Sequence, residues 1–185
     1  EWNYKYSPWC DVPKAICQLN ITYQDGSTES ICSDKSWKAA DSPVVFNEVR
    51  YGVHYDARLE IKVWNTADYD DSGWCNAEIC HSPGGKLTDI PYVPIRIMRR
   101  IAPVSVDGNV YDFGENLSGW LSVRVKGNSG DQLTIRYAER ISAPDQIDQY
   151  SVNFFTDPNE GHCDRYICKG GEEECFEPRL TYHGF

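Results

Sequence analysis

The chain offers almost nothing from which to build a helix. No segment keeps apolar residues at i, i+3, i+4 and i+7 for more than about one turn, which is the spacing an amphipathic helix needs. Alternation with period two takes its place. Cys17, Leu19, Ile21 and Tyr23 alternate with Gln18, Asn20 and Thr22. Leu121, Val123 and Val125 alternate with Ser122, Arg124 and Lys126, and Leu133, Ile135 and Tyr137 with Thr134, Arg136 and Ala138. Successive side chains of a strand point to opposite faces, so each run predicts a strand, and the last two predict one buried and one wetted face.

Turn residues punctuate these runs. "QDGS" carries Asp25-Gly26, a pair suited to a tight hairpin, and "TESIC" returns as its partner strand. Trp37 and Val44–Phe46 continue the β pattern. "GNSGD" predicts a reversal that pairs the strand around Val123 with the strand around Ile135 as a hairpin. "IRIMRRIAPVSV" alternates, but Pro103 confines it to an edge or an irregular strand. "YDDSGW" is turn-rich and ends in Trp74, an expected core anchor. "DRYICKGGEEECFEPRLTY" reads as strand, turn and strand. Residues 141–162 form a long polar stretch around Tyr150, Phe154 and Phe155, of the kind that is functional, docked on a partner or disordered. "HSPGGKL" reads as a linker and places a boundary near Asp89, giving modules 1–89 and 90–185. From pattern alone the expectation is all-β, in two small antiparallel domains.

The formal net charge of −10 repels phosphate, so nucleic acid and anionic membrane surfaces are poor partners. No apolar run approaches the length of a membrane span. The 12 Tyr and 6 Trp suit β-sandwiches and carbohydrate-binding proteins equally. Eight Cys are present, at 10, 17, 32, 75, 80, 163, 168 and 175. A chain this long buries a core without staples, so free thiols in a reducing compartment are favoured over disulfides. That reading favours a cytoplasmic location, with secretion or a periplasm left open.

"YDFGENLSGW" holds two carboxylates, Asp112 and Glu115. Glycosidases work with two carboxyl groups roughly 5–9.5 Å apart. The flanking Gly114 and Gly119 point instead to backbone turns, in which Asp bonds its own backbone, and the structural reading is preferred. His162, Cys163, Cys168 and Cys175, with Cys75, Cys80 and His81 elsewhere, offer zinc-type ligands but no C-x-x-C spacing, so unligated thiols are preferred over a disulfide or a metal. Trp2, Trp9 and Trp120 suit stacking on a sugar ring, though core Trp is the commoner outcome in a small β-domain. Asn20-Ile21-Thr22 and Asn116-Leu117-Ser118 match a glycosylation sequon too common to carry weight. His183 lacks a nucleophile partner and reads as packed or hydrogen-bonded. "RIMRR" reads as a solvated or salt-bridged face.

In order along the chain, several stretches resemble the bacterial α-L-rhamnosidases of glycoside hydrolase family seventy-eight. "CQLNITYQDGSTESICSDKSWKAADSPVVFNEVRYGVHYDARLE" and "WNTADYDDSGWCNA" are similar to that family's N-terminal module. "PIRIMRRIAPVSV" fits the crossing into the next module. "YDFGENLSGWLSVRVKGNSGDQLTIRYAER" and "CDRYICKGGEEECFEPRLTYHGF" are similar to the module that follows. The resemblance implies two β-sandwich, jelly-roll-like modules, the first incomplete at its start. It implies the non-catalytic region of an enzyme that hydrolyses terminal α-L-rhamnose with inversion. The family's catalytic carboxylates sit in a downstream (α/α)₆ barrel, the expected partner of this region in the same polypeptide. No catalytic, cofactor-binding or metal residue is carried over to this chain, and no cofactor is expected in it. A Ca²⁺ ion in the parent's sugar-binding module would be held mainly by residues before Glu1. The alternative is a free-standing carbohydrate-binding module or lectin. The fragment is expected to be inactive alone, and to self-associate or to leave residues 1–16 poorly docked.

Overall fold

The computed structural model describes residues 12–82, 84–153, 156 and 160–185. Trp2, Trp9, Cys10, Phe154 and Phe155 lie outside the described residues, as do residues 1–11 of the expected poorly docked start. The secondary structure is nearly all strand, with one short helix, α1 (Gln149–Val152), and a 3₁₀ turn at Ala57–Leu59. The chain divides into two compact units. One comprises Glu1–Asp41 with Val63–Tyr92, the other Ser42–Lys62 with Val93–Phe185.

The first unit is built on a hairpin. Strands β1 (Gln18–Thr22) and β2 (Thr28–Cys32) pair antiparallel from Gln18↔Cys32 to Thr22↔Thr28. Asp25 and Gly26 make the turn. Asp25 Oδ1 accepts the Ser27 N–H at 2.9 Å, and Gly26 takes φ +85°, a conformation open to glycine without a Cβ penalty. A second ladder joins β3 (Lys38–Ala39) to β6 (Cys75–Asn76). Trp64 and Trp74 have centroids 6.4 Å apart, and Tyr69 lies 5.5 Å from Trp74. Trp74 is the half-buried centre of that trio.

The second unit holds the larger core. Its four-stranded sheet runs β11 (Gln132–Arg136), β14 (Cys163–Ile167), β5 (Gly52–Asp56), β4 (Val44–Glu48). Against it lies the pair β10 (Val123–Val125) with β15 (Glu174–Phe176). Short ladders β7 (Ser105–Asp107) with β8 (Val110–Asp112), β9 (Ser118–Gly119) with β16 (His183–Gly184), and β12 (Ile141–Ala143) with β13 (Gln146–Ile147) complete it. Val53, Ala57, Ile135, Tyr137, Tyr166, Cys168 and Phe176 form the buried cluster, with Leu121, Val123, Val125 and Leu133 packed on it. Tyr166 stands 4.9 Å from Phe176 and 5.7 Å from Tyr55, which bridges the two layers with aromatic contacts.

Three expectations need correcting or refining. The runs around Val123 and Ile135 are strands, but they are not a hairpin: β10 pairs with β15 and β11 with β14. Alternation fixes which face is buried and says nothing of the partner, so the loop between them crosses from one layer to the other. One pair departs from the antiparallel pattern, because β14 runs parallel to β5. The compact units are not contiguous in sequence: Ser42–Lys62 groups with Val93–Phe185, joined through β5 and β14. The 141–162 stretch is not structureless among its described residues. It contains β12, β13 and α1, whose N-cap Asp148 accepts the Ser151 N–H at 3.1 Å.

Candidate functional site

The densest polar constellation lies inside the second unit and centres on Asp164. Position 164 of β14 points toward the core, between β5 and β11. Its carboxylate accepts three hydrogen bonds: the Val53 N–H at 2.9 Å and His183 Nε2 at 3.1 Å on Oδ1, and the Tyr137 O–H at 2.8 Å on Oδ2. A carboxylate only accepts, so His183 carries its proton on Nε2. Tyr137 stacks on the His183 ring at 4.2 Å and 15°, and its oxygen accepts the Leu121 N–H at 3.2 Å. Asp164 and His183 side chains are both fully buried, at 0% exposure. Burial and the neighbouring Asp164 push the Tyr137 phenol well above its ordinary value.

Carboxylate, imidazole and phenol in contact are the parts of an acid–base relay. Here they cannot act as one on a substrate, because the histidine and carboxylate have no solvent face. The arrangement ties β5, β14, β16 and Tyr137, the residue that follows β11, together at a single carboxylate. A second buried carboxylate works alike. Glu174 accepts the Tyr166 O–H at 2.7 Å and the backbone N–H groups of Lys169 and Gly170 at 3.1 and 3.0 Å, closing the "KGG" turn.

Of the sequence candidates, His183 belongs to this centre, whereas Asp112 and Glu115 make their own contacts elsewhere. Asp112 ends β8 and accepts the Gly114 N–H at 2.7 Å. Glu115 turns to Arg99 at 2.7 Å, and that hydrogen bond holds its carboxyl below the ordinary range. The two acids therefore serve different partners. Trp120 is half-buried, and its side chain and that of Ser122 hydrogen-bond the Glu177 carboxylate, which also holds Arg100 at 3.0 Å. The "RIMRR" arginines 99 and 100 are thus salt-bridged.

The seven described cysteines are unpaired. Cys163 and Cys168 are buried, and burial pushes both thiols up, which makes them poor nucleophiles and poor ligands. Cys75, Cys80 and Cys175 are exposed. Among the described residues no three His, Cys, Asp or Glu side chains converge to hold a metal. No helix among them is long and apolar enough to cross a membrane. Asn20 Oδ1 accepts the Ser30 hydroxyl at 2.7 Å, and Asn116 is exposed. His183 is packed and hydrogen-bonded. Sequence reasoning missed its partners, Asp164 and Tyr137, which lie far off in the chain and carry no local motif.

The first unit exposes two indole rings. Trp64 is 57% exposed and Trp37 43%. In the same unit Lys38 pairs with Asp71 at 2.9 Å.

The Alpha-L-rhamnosidase N-terminal domain family matches residues 1–99, and the Bacterial alpha-L-rhamnosidase concanavalin-like domain family matches residues 104–185. An alpha-L-rhamnosidase of Streptomyces avermitilis is 32% identical over 94% of this chain, which covers 17% of that protein. The structure of alpha-L-rhamnosidase from Dictyoglumus thermophilum superposes with a TM-score of 0.83 at 42% identity, over 92% of this chain and 19% of that one. The Streptomyces avermitilis enzyme complexed with L-rhamnose superposes with a TM-score of 0.75 at 31% identity, over 91% and 16%. The chain therefore spans about a fifth of these relatives, in which the matched region is part of a much longer polypeptide. With both family domains matched in order along nearly its whole length, the chain belongs to the bacterial α-L-rhamnosidase family, as its N-terminal and concanavalin-like β-domains.

Proposed function

We propose that this chain is the non-catalytic β-sandwich region of an α-L-rhamnosidase, an enzyme that removes terminal α-L-rhamnose from glycosides. Its role is to support the catalytic part of the same polypeptide, expected to be an (α/α)₆ barrel. One observation carries the reading. The two matched domains account for nearly all of this chain but only about a fifth of α-L-rhamnosidase relatives. The site chemistry agrees with it. The buried Asp164 and Glu174 spend their acceptors on internal donors, and the exposed Glu115 on Arg99. The purified chain should give no turnover of an aryl α-L-rhamnoside. Hydrolysis that follows the chain through purification would overturn the reading.

The exposed Trp64 and Trp37 favour a second reading, in which the first unit binds sugar. Indole faces stack on the apolar C–H patches of a pyranose. Titration calorimetry with L-rhamnose, with and without Ca²⁺, separates the two. Saturable heat that disappears in Trp64→Ala supports sugar binding, and silence at millimolar sugar removes it.

A further inference from the structure

The fold ignores the boundary between the two matched domains. Ser42–Lys62 lies inside the first matched domain, residues 1–99, yet it belongs to the compact unit built by 93–185. Within that unit it is central. The sheet order β11-β14-β5-β4 makes β5 one of two inner strands, in parallel register with β14 through Arg165↔His54, Tyr166↔Tyr55 and Ile167↔Asp56. Val53 and Ala57 are 3% and 1% exposed, so they are core and not cover.

The contact is specific in its chemistry. The His162 N–H donates to the Arg50 carbonyl at 2.9 Å, the Cys163 N–H to the Tyr51 carbonyl at 3.1 Å, and the Val53 N–H to the Asp164 carboxylate. Gly52 sits at φ +100°, where an added Cβ would overlap the Cys163 carbonyl and stand 2.6 Å from Asp164 Oδ1. Only a strand with glycine there approaches this closely. Removing the segment would leave β14 with an unpaired edge, and Asp164 with one donor fewer in a dry core.

We infer that the β14 edge is a strand-acceptor site whose occupant is the Ser42–Lys62 hairpin of the preceding family domain, and that residues 104–185 do not reach their native fold without it. The two matched domains are interlocked by a shared sheet, and the second is completed by the first. This holds whether or not either unit binds sugar.

Native-state hydrogen exchange on the full chain at low denaturant tests it. The amides of 53–56 should open together with those of 133–136 and 164–167, with opening constants that agree within about threefold and the same denaturant dependence. Gly52→Ala should accelerate all three strands by one common factor, of about tenfold or more, and leave 18–22 and 28–32 unchanged. Should that variant fail to fold, Val53→Ala gives the same pattern at smaller amplitude. Exchange of 53–56 in step with 18–32, or opening of 53–56 while 133–136 and 164–167 stay protected, would overturn the inference.

Discussion

His183 donates from Nε2 to Oδ1 of Asp164 at 3.1 Å, and neither side chain has any solvent-exposed surface. The same carboxylate holds the Tyr137 hydroxyl and the Val53 amide. Asp164→Asn replaces one acceptor oxygen with a donor that faces another donor. Such a buried mismatch costs about 1–3 kcal/mol, and Asp164→Ala, which strands all three donors, costs more. Urea denaturation of the full chain measures both. A loss under about 0.5 kcal/mol for Asp164→Asn would show that the carboxylate is not the tie assigned to it.

Gly170 and Gly171 form a matched pair. Both have positive φ, +89° and +102°. A Cβ on Gly170 would stand 2.6 Å from the Ser129 backbone nitrogen, whereas one on Gly171 would meet nothing within 4 Å. Gly171→Ala should therefore cost only the left-handed backbone penalty of about 1–2 kcal/mol. Gly170→Ala adds a backbone clash and should cost at least about 1 kcal/mol more. Denaturant midpoints measured with unchanged m-values decide it, and equal midpoints would contradict the assigned turn.

How much of this was legible in the sequence depends on whether an interaction was local. The β1–β2 hairpin was legible because Asp25-Gly26 dictates the turn and the flanking residues alternate. The strands around Val123 and Ile135 were legible for the same reason. Their partners were not, since one wetted face is compatible with any neighbour of the right length. β5 was harder still. "GVHYD" lies between two strands, with burial on both faces, and so loses the alternation that marks a half-exposed strand. Asp164 is invisible to motif reasoning because its three donors come from positions 53, 137 and 183. Asp112 was the opposite case, since its partner Gly114 lies two residues on.

Glu174 predicts an acid-sensitive limb of the stability curve. Burial alone raises its carboxyl, but hydrogen bonds from the Lys169 N–H, the Tyr166 O–H and the Gly170 N–H outweigh burial and hold it below its ordinary value. A carboxyl depressed in the folded state stabilises above its unfolded pKa, and that contribution is lost as pH falls through the folded value. Stability should therefore decline below about pH 4.5, the carboxyl's ordinary value. Glu174→Gln should flatten the decline and lower the plateau at neutral pH. Glu177, held down chiefly by Arg100, keeps its own share of the slope in that variant. An acid limb unchanged by Glu174→Gln would contradict this assignment.

His162 governs a milder range. It sits at φ +47°, a conformation that Asn and Gly adopt more readily than other residues. Burial first, and then the neighbouring His183, hold its imidazole below the ordinary 6.5. The rings of His162 and His183 lie 5.6 Å apart, and Nδ1 of each is buried without a hydrogen-bond partner. A base depressed in the folded state takes up its proton more readily when unfolded. Its stabilising contribution is complete above pH 6.5 and is lost as pH falls toward the folded value. His162→Asn keeps the backbone conformation and removes the titrating group. At pH 8 it should stay within about 1 kcal/mol of the parent, since the lost ring contacts are offset by relief of the backbone and of the unpartnered Nδ1. Between pH 7 and 5 its stability should fall less steeply than the parent's, with the remaining slope carried by His54, which burial also holds down. Parallel slopes for the two proteins across that range would show that the His162 proton is not coupled to folding.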